Sequence, residues 1–302
     1  MSPSKNSPTE KTVLTLGTFD GVHRGHQRLL ALARRRARAL GAEVLAVAFE
    51  RPPRLFFTPD NGPALLTTPR EKEFLLRAHG ADRVVSVPFS ASLSVLSAGQ
   101  FLDRFVVGQW KANEIVVGFN FRFGRGREGD GSFLKQWARA EGKKVHLVSA
   151  VTQGGQVVSS GVIRSLVARG DLEKATPLLG HDYIVEGPVV SGRGVGRTLG
   201  FPTANVDVPD DKIVPLGVWA VKAWLPTGIE RTGVLNVGCR PTFREKSGRS
   251  VEAHLLDFGG TLTGRPLRLA LLKKIRDEIQ FPSVQALIRQ IGRDVQFARR
   301  CS

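Results

Sequence analysis

Leu16-Gly17-Thr18-Phe19-Asp20-Gly21-Val22-His23-Arg24-Gly25-His26 decides how the first half of the chain folds. The apolar run Val13, Leu14, Leu16 leading into it has the pattern of a buried strand, and Leu29, Leu30 and Leu32 after it that of a helix. The stretch is therefore a strand-to-helix turn. Gly17 and Gly21 let its backbone approach a ligand that a side chain would hold away. His23 and His26 share a face on the first helical turn, beside unpaired N–H groups and the positive end of the helix dipole. Three readings compete. A zinc motif of the H-E-x-x-H kind needs histidines four apart with a Glu between them, whereas here Arg24 follows His23 and the spacing is three. Two solvated histidines at a helix start would need no ligand. A pair of donors gripping a nucleoside triphosphate is the third. Two of the six histidines within four residues of a Gly-flanked turn favour it.

Working outward, 302 residues allow two ordinary domains, and 41% hydrophobic residues allow real cores. Cys239 and Cys301 are too few for a disulfide framework and suit a reducing cytoplasm. No apolar run reaches the length of about 18 residues that would span a membrane. Residues 1–11 are polar, lack a signal-peptide core and read as a loose end. The net charge of +17 fits an Arg-rich solvated surface such as Arg34, Arg35, Arg36 and Arg38, a nucleic-acid binder, or a collector of polyanions such as ATP. Basic residues are spread along the whole chain, aromatics are 7%, and no zinc-finger or RNP motif is present. Neither a nucleic-acid nor a membrane partner is expected, and the oligomeric state stays open, a weak homo-oligomer included.

Past the first helix, strands are expected at Glu43–Phe49, Arg83–Phe89, Glu114–Gly118 and Lys143–Ala150, with helices at Glu71–Ala78 and Phe101–Val107. Alternating strands and helices imply parallel pairing in a Rossmann-like sheet, with ligands beyond the carboxyl ends of the strands. The histidine turn follows the first strand. After the fourth comes Gly118-Phe119-Asn120-Phe121-Arg122-Phe123-Gly124-Arg125-Gly126-Arg127, then Gly129-Asp130. It reads as a half-buried edge strand with an Arg-rich loop, or as a loop closing over an aromatic ligand with Asn120 as hydrogen-bonding group. Ser159-Ser160-Gly161-Val162-Ile163-Arg164 opens another helix, as a simple cap or as a phosphate site completed by Arg164.

The pattern changes near Asp182. Short strands are expected at Tyr183–Val190, Val218–Trp224, Gly233–Gly238, Val251–Phe258 and Leu267–Leu272, forming a small antiparallel barrel closed by an amphipathic helix over Ser283–Arg300. Ser191-Gly192-Arg193-Gly194-Val195-Gly196-Arg197-Thr198-Leu199-Gly200 is neither a Walker A loop nor a dinucleotide fingerprint. It is a flexible Arg/Gly turn or a phosphate-covering flap using Arg197. Pro202-Thr203-Ala204-Asn205, taken alone, is a turn.

Together these motifs resemble the bifunctional riboflavin kinase/FMN adenylyltransferase (FAD synthetase) family, in the family's order from Thr12 to Arg300. G-T-F-D-G-V-H-x-G-H is similar to the nucleotidyltransferase signature, Gly118–Asp130 and Ser159–Arg164 to further adenylyltransferase elements, and Leu66-Thr67-Thr68 with Glu71-Lys72 also follows the family. The P-T-A-N segment with Val251-Glu252-Ala253-His254, Asn236–Phe243 and Ile275–Phe281 resembles riboflavin kinase. The resemblance implies an α/β Rossmann-like nucleotidyltransferase domain over residues 1–182. A small antiparallel β-barrel riboflavin kinase domain with a C-terminal helix would occupy 183–302. It implies phosphorylation of riboflavin by ATP to FMN, then adenylylation of FMN by a second ATP to FAD and pyrophosphate, both with Mg²⁺, in the cytoplasm. His23 and His26 would contact the phosphates of ATP. Gly17, Phe19, Asn120, Ser159, Ser160 and Arg164 would complete the adenylylation site. Glu252 would be the general base of the kinase, Thr203 and Asn205 would hold Mg²⁺ and the phosphates, Gly192, Gly194, Gly196 and Arg197 would form the flap, and Arg276 would lie near the flavin. Two departures touch the first site: Gly161 stands for a hydroxyl residue, and Pro52 occupies the family's usual His position. They motivate one alternative, a chain in which only the kinase works. The net charge motivates another, a basic nucleotide- or RNA-binding regulator.

Overall fold

The computed structural model describes residues 11–57, 64–192, 194–239 and 249–301. The N-terminal loose end up to residue 10, Arg193 of the Gly-rich loop and Arg240 to Phe243 of the kinase-like pattern lie outside them. The chain forms two compact units, one drawing on Met1–Pro63 and Lys72–Ser159, the other on Ala64–Glu71 and Ser160–Ser302. Among the described residues no helix is long and apolar enough to cross a membrane.

The first unit is a five-stranded parallel sheet. Its strands are β1 (Thr12–Gly17), β2 (Glu43–Phe49), β3 (Arg83–Val87), β4 (Ala112–Gly118) and β5 (Lys144–Val148), in the order β3-β2-β1-β4-β5. The order reverses between β1 and β4, so the turns leaving these two strands meet at the carboxyl edge, where such sheets bind ligands. Both motifs singled out in this half sit on those turns. The apolar runs of β1 and β2 are covered on both faces, as parallel strands require. Helix α1 (Arg24–Leu40) buries Leu29, Leu30, Ala33 and Ala37 and stops at Gly41, which takes the left-handed conformation, φ 61°. Arg36 grips buried Glu114 of β4 through two bonds of 2.7 and 2.8 Å, and His146 of β5 adds a third at 2.8 Å. These partners hold the Glu114 carboxyl down at about 2, the Arg36 bond contributing most.

Shorter helices are α2 (Arg54–Phe57), α3 (Pro69–Ala78), which begins two residues before its expected start, α4 (Ala91–Ser94), α5 (Ala98–Phe101) and α6 (Gly131–Ala140). The expected helix over Phe101–Val107 is different in kind. After the Ser97–Gln100 capping box and the single turn of α5 the chain widens into a π-helix, Leu102–Gln109. The wider turn brings Phe105 and Trp110 against Phe101, and Trp110 N–H reaches back five residues to the Phe105 carbonyl at 2.7 Å. A two-residue hairpin, β6 (Thr152–Gln153) and β7 (Gln156–Val157), turns on Gly154-Gly155, both at positive φ.

The second unit has helices α7 (Ser160–Ala168) and α8 (Leu172–Leu179) followed by a barrel. Its strands are β8 (Tyr183–Val190), β9 (Ala204–Val206), β10 (Gly217–Trp224), β11 (Glu230–Cys239), β12 (Arg249–Leu255) and β13 (Pro266–Arg276). They close in the order β10-β11-β12-β9-β8-β13, every pairing antiparallel. The Gly-rich loop contains one helical turn, α9 (Val195–Thr198). The final helix α10 (Val284–Arg299), N-capped by Ser283, lays Val295, Phe297 and Ala298 on Val218, Ala220 and Val234. Segment Ala64–Glu71 is fastened to this unit. Leu65 exchanges backbone bonds with Asp211 and Ile213 at 2.6 and 2.9 Å, and the unexposed Glu71 carboxylate meets the unexposed Lys212 ammonium at 3.0 Å. Lys212 also donates to the Ile184 carbonyl at 2.8 Å and the Tyr183 hydroxyl at 3.0 Å, while Glu71 accepts from Thr68 and Glu186 N–H, each at 2.8 Å.

Candidate active sites

At the carboxyl end of β1 the backbone is strained. Phe19 has φ 48°, Gly21 φ 82° and the β-branched Val22 φ 37°. Val22 N–H closes the turn on the Phe19 carbonyl at 3.1 Å, and the Gln27 side chain braces the Val22 carbonyl at 2.9 Å. Strain of this kind persists where surrounding contacts over-determine it, and it gathers at ligand sites. The Phe19 ring is fully buried and lies so close to Gly17 that a Cβ there would sit 3.3 Å from it. His23 is the N-cap of α1, yet its side chain makes no capping bond. Its ring stacks on His26, centroids 3.7 Å apart, and Phe19 meets His26 edge-on at 5.2 Å. Gly17, Phe19, His23 and His26 are thus brought together at the open N-terminus of α1. Burial, His23 and then Lys72 push the His26 imidazole well below its ordinary range.

The adjacent turn after β4 is no edge strand. Phe121 N–H bonds to the Gly118 carbonyl at 3.0 Å, and Phe123 and Gly129 exchange backbone bonds at 3.1 and 2.9 Å. Asp130 caps α6 through Ser132 and Phe133 N–H, both 2.9 Å, and pairs with Arg122, also at 2.9 Å. Asn120 and Phe119 are left exposed at the sheet's carboxyl edge. A second aromatic group at that edge was not singled out from sequence: Phe49 at the end of β2, Phe89 after β3, and Phe56 and Phe57 of α2 meet edge to face at 5.3 to 5.9 Å. Phe57 is 64% exposed, an uncommon state for so large a ring. Ser159 closes the first unit's share of the chain; Ser160 and the part-buried Arg164 stand on the first turns of α7 in the second.

In the barrel, strand register assembles the other group. Asn205 of β9 pairs with Glu252 of β12, and Glu252 pairs with Asn236 of β11. Directly opposed residues project from the same face. Val251, Ala253 and Leu255 are buried, so Glu252 and His254 point the other way. Pro202–Asn205 is therefore no isolated turn, since its last two residues are a strand. His254 Nδ1 lies 2.8 Å from the Pro202 carbonyl, and its ring meets Phe201 edge-on at 5.5 Å. The Gly-rich loop rests on the same residues: a Cβ on Gly192 would collide with the Asn205 amide, and one on Gly196 would collide with the Phe201 carbonyl and come 3.1 Å from Thr203 Oγ1. Gly194 caps α9 at φ 71°, and Arg197 is exposed on that turn. A cleft of about 310 Å³ is lined by Ser191, Gly192, Asn205, Asp207 and Ser250 with Val190 and Val206. A larger hollow of about 530 Å³ holds none of these residues; its Arg231 and Arg299 are balanced by Glu230 and Asp257. Arg276 gives its guanidinium to Asp294 of α10 at 2.8 Å and stands over Phe281 at 5.5 Å.

Among the described residues no three His, Cys, Asp or Glu side chains form a metal cage. The side-chain oxygens of Thr203 and of Asn205, the latter paired in register with Glu252, suit a hard cation that takes a few protein oxygens and completes its shell from phosphate and water. His254 and Asn236 were legible only in part: alternation along β12 puts His254 on the Glu252 face, whereas Asn236 needs the cross-strand register.

Two family models match the chain, FAD synthetase over residues 5–162 and riboflavin kinase over residues 179–302. Relatives include the bifunctional riboflavin kinase/FMN adenylyltransferases of Pseudomonas fluorescens, 39% identical over 95% of this chain and 92% of the relative, and of Escherichia coli K12, 39% identical over 97% and 93%. The Bacillus subtilis enzyme of that name is 36% identical over 96% and 92%. A solved structure described as a macrolide-efflux protein from Streptococcus pneumoniae superposes with a TM-score of 0.83 at 28% identity, covering 98% of this chain and 96% of that one.

Proposed function

The chain belongs to the bifunctional riboflavin kinase/FMN adenylyltransferase family, and from that premise we propose how its residues divide the work. The protein phosphorylates riboflavin with ATP and joins the resulting FMN to AMP from a second ATP, giving FAD and pyrophosphate. Residues 1–182 carry adenylylation and residues 183–302 carry phosphorylation. The observation that supports the kinase assignment most directly is the register that sets Glu252 beside Asn205.

In phosphorylation the Glu252 carboxylate takes the proton of the terminal ribityl hydroxyl as its oxygen bonds to the γ-phosphorus and the bond to ADP breaks. Thr203 and Asn205 hold the phosphates, with Gly192, Gly194, Gly196 and Arg197 closing over them. Thr203 and Asn205 would also hold Mg²⁺, which when bound offsets phosphate charge. In adenylylation a phosphate oxygen of FMN bonds to the α-phosphorus of ATP as the bond to pyrophosphate breaks. No protein nucleophile intervenes, so the work is orientation and charge stabilisation. His23 and His26 donate to the triphosphate at the α1 N-terminus, Ser159 adds a donor, and Gly17 and Phe19 shape the turn; Ser160 and Arg164 on α7 are donors suited to phosphate. Asn120 and the aromatic group of Phe49, Phe56, Phe57 and Phe89 offer a face for the flavin ring. Arg276, its guanidinium held by Asp294 of α10, lies near the flavin. The cytoplasm, where ATP and riboflavin are at hand, is the place of work, and no nucleic acid or membrane takes part.

The test is a time course with riboflavin, ATP and Mg²⁺, the flavins separated by chromatography. FMN should appear first and FAD after it. Glu252→Ala should abolish FMN formation and leave FAD formation from supplied FMN, and His26→Ala should do the reverse. Full kinase activity in Glu252→Ala would remove the base assignment.

A further inference from the structure

The ladder between β9 and β12 is short. It pairs Asn205 with Glu252 and Ala204 with Ala253, and Pro202 and Thr203 lie beyond its end. Pro202 has no N–H, so only its carbonyl can be held by a hydrogen bond. One side chain of β12 reaches this stretch. Continued by one step, the register sets His254 opposite Thr203. His254 is half-buried and stands two residues after Glu252, on the same face of β12. Its Nδ1 lies 2.8 Å from the Pro202 carbonyl oxygen. A carbonyl only accepts, so Nδ1 carries the proton. The same ring meets Phe201 edge-on, with centroids 5.5 Å apart and planes at 83°. The Gly-rich loop is tied to the same two residues. Phe201 N–H donates to the Gly196 carbonyl at 2.8 Å, and a Cβ on Gly196 would come 3.1 Å from the Thr203 hydroxyl. One imidazole thus holds the joint between the Gly-rich loop and β9. Its own backbone is firmly seated: His254 pairs with Val234 of β11, and a Cβ on the neighbouring Gly233 would sit 2.8 Å from the His254 carbonyl.

We infer that His254 is a positioning residue for riboflavin phosphorylation: its Nδ1–H, carried on β12, fixes Pro202 and through it sets the Thr203 hydroxyl and the base of the Gly-rich loop against the triphosphate. This rests on the functional reading above and adds a residue to it. Glu252 and His254 divide one strand face between the two substrates. The carboxylate, opposite Asn205, serves the riboflavin hydroxyl, and the imidazole, opposite Thr203, serves the ATP side. Placement of this kind has large leverage, because a phosphate-holding group displaced by about 1 Å can cost about a hundredfold in rate. The tether is one hydrogen bond and one ring contact on a face turned away from the buried residues of β12, so removing it loosens the joint and leaves the barrel core intact.

The test uses the full-length chain with His254→Leu, which removes the donor, and His254→Asn, whose amide N–H can take the place of Nδ1–H. FMN formation is measured against ATP and against riboflavin in turn. His254→Leu should raise KM for ATP about fivefold or more and lower kcat/KM for ATP about tenfold or more, with KM for riboflavin within about twofold of wild type. His254→Asn should recover most of the loss, and both variants should form FAD from supplied FMN at the wild-type rate. Wild-type kinetics in His254→Leu would overturn the inference. So would a fall in kcat with KM for ATP unchanged, the mark of a packing role, or a His254→Asn no better than His254→Leu. If His254→Leu fails to fold, judged by circular dichroism, the wild-type ring decides. Nitrogen NMR at about pH 8, assigned with His254→Asn, should find the His254 proton on Nδ1, and a ring protonated on Nε2 overturns the inference. Wild-type protein that makes no FMN at all would instead sink the functional reading on which the inference stands.

Discussion

A single methyl group at Gly192 should separate the two activities. The Cβ of Gly192→Ala would collide with the side-chain amide of Asn205, and the flap or Asn205 must move to make room. Gly192 itself is exposed, so the barrel core is not disturbed. We expect FMN formation to fall by about tenfold or more and FAD formation from supplied FMN to stay at wild-type rate. Both are read in one chromatographic assay, and an unchanged rate of FMN formation would show that the contact is dispensable. At this scale the sequence was informative where a residue acts within its own segment. Gly17, Phe19, His23 and His26 lie within one turn and could be grouped by spacing alone. The ring group of Phe49, Phe56, Phe57 and Phe89 could not, because its edge-to-face contacts arise between segments dozens of residues apart. Arg276, which its motif places near the flavin, also pairs with Asp294 of α10, a partner no local pattern announces.

Among elements, the Ala64–Glu71 segment carries the sharpest test. Lys212 and Glu71 have no exposure, and each satisfies the other. Lys212→Met strands a carboxylate in the interior, a loss of about 3–5 kcal/mol in typical buried pairs. The double variant Lys212→Met with Glu71→Met should recover much of it. Urea unfolding reads both, and a single variant as stable as wild type would show that the pair carries no weight. Strands and long helices in this chain were legible because their apolar periods are long: α1, α10 and the five strands of the first unit fall within a few residues of their expected limits. The elements that escaped are those made by partners. β9 has three residues and exists because β12 and β8 flank it. The π-helix after α5 keeps a helical pattern in sequence and differs only in how its carbonyls are reached. That Ala64–Glu71 packs with the second unit is written in Lys212, nearly 150 residues away, and no local pattern announces it.

For the whole molecule, a net charge of +17 acts on substrates of unequal charge. ATP and FMN are anions and riboflavin is neutral. Raising KCl from about 25 to about 250 mM screens the protein's field. KM for ATP and FMN should rise several-fold, while KM for riboflavin at saturating ATP should barely move. Equal salt responses for all three would mean that the charge is surface dressing without effect on capture. A pH series tests a different part. Glu114 is held near 2 in the fold and would titrate near the ordinary 4.5 when unfolded. Its contribution is therefore complete above about pH 4.5 and disappears as the pH falls toward 2. Glu114→Gln should remove that part of the acid sensitivity of the wild-type melting temperature. A two-domain α/β plus barrel architecture was legible from the change in pattern near Asp182, since alternating strands and helices give way to short strands between turns. Barrel closure was less so, because it depends on β13 meeting both β10 and β8.

That closure bears on how the molecule behaves when crowded. Among the described residues the closed ring leaves little unpaired strand edge for a second chain to extend, the short β9 covering two residues each of β12 and β8. The parallel sheet does have two borders, β3 and β5. Each carries a bulky cation at its start, exposed Arg83 on one and exposed Lys144 on the other, and Pro88 directly follows β3 where an added strand would seek a donor. Among the described residues the open strand borders are thus short: β3, whose Arg83 is paired with Glu43, β5 with its exposed Lys144, and the two-residue strands of the β6–β7 hairpin.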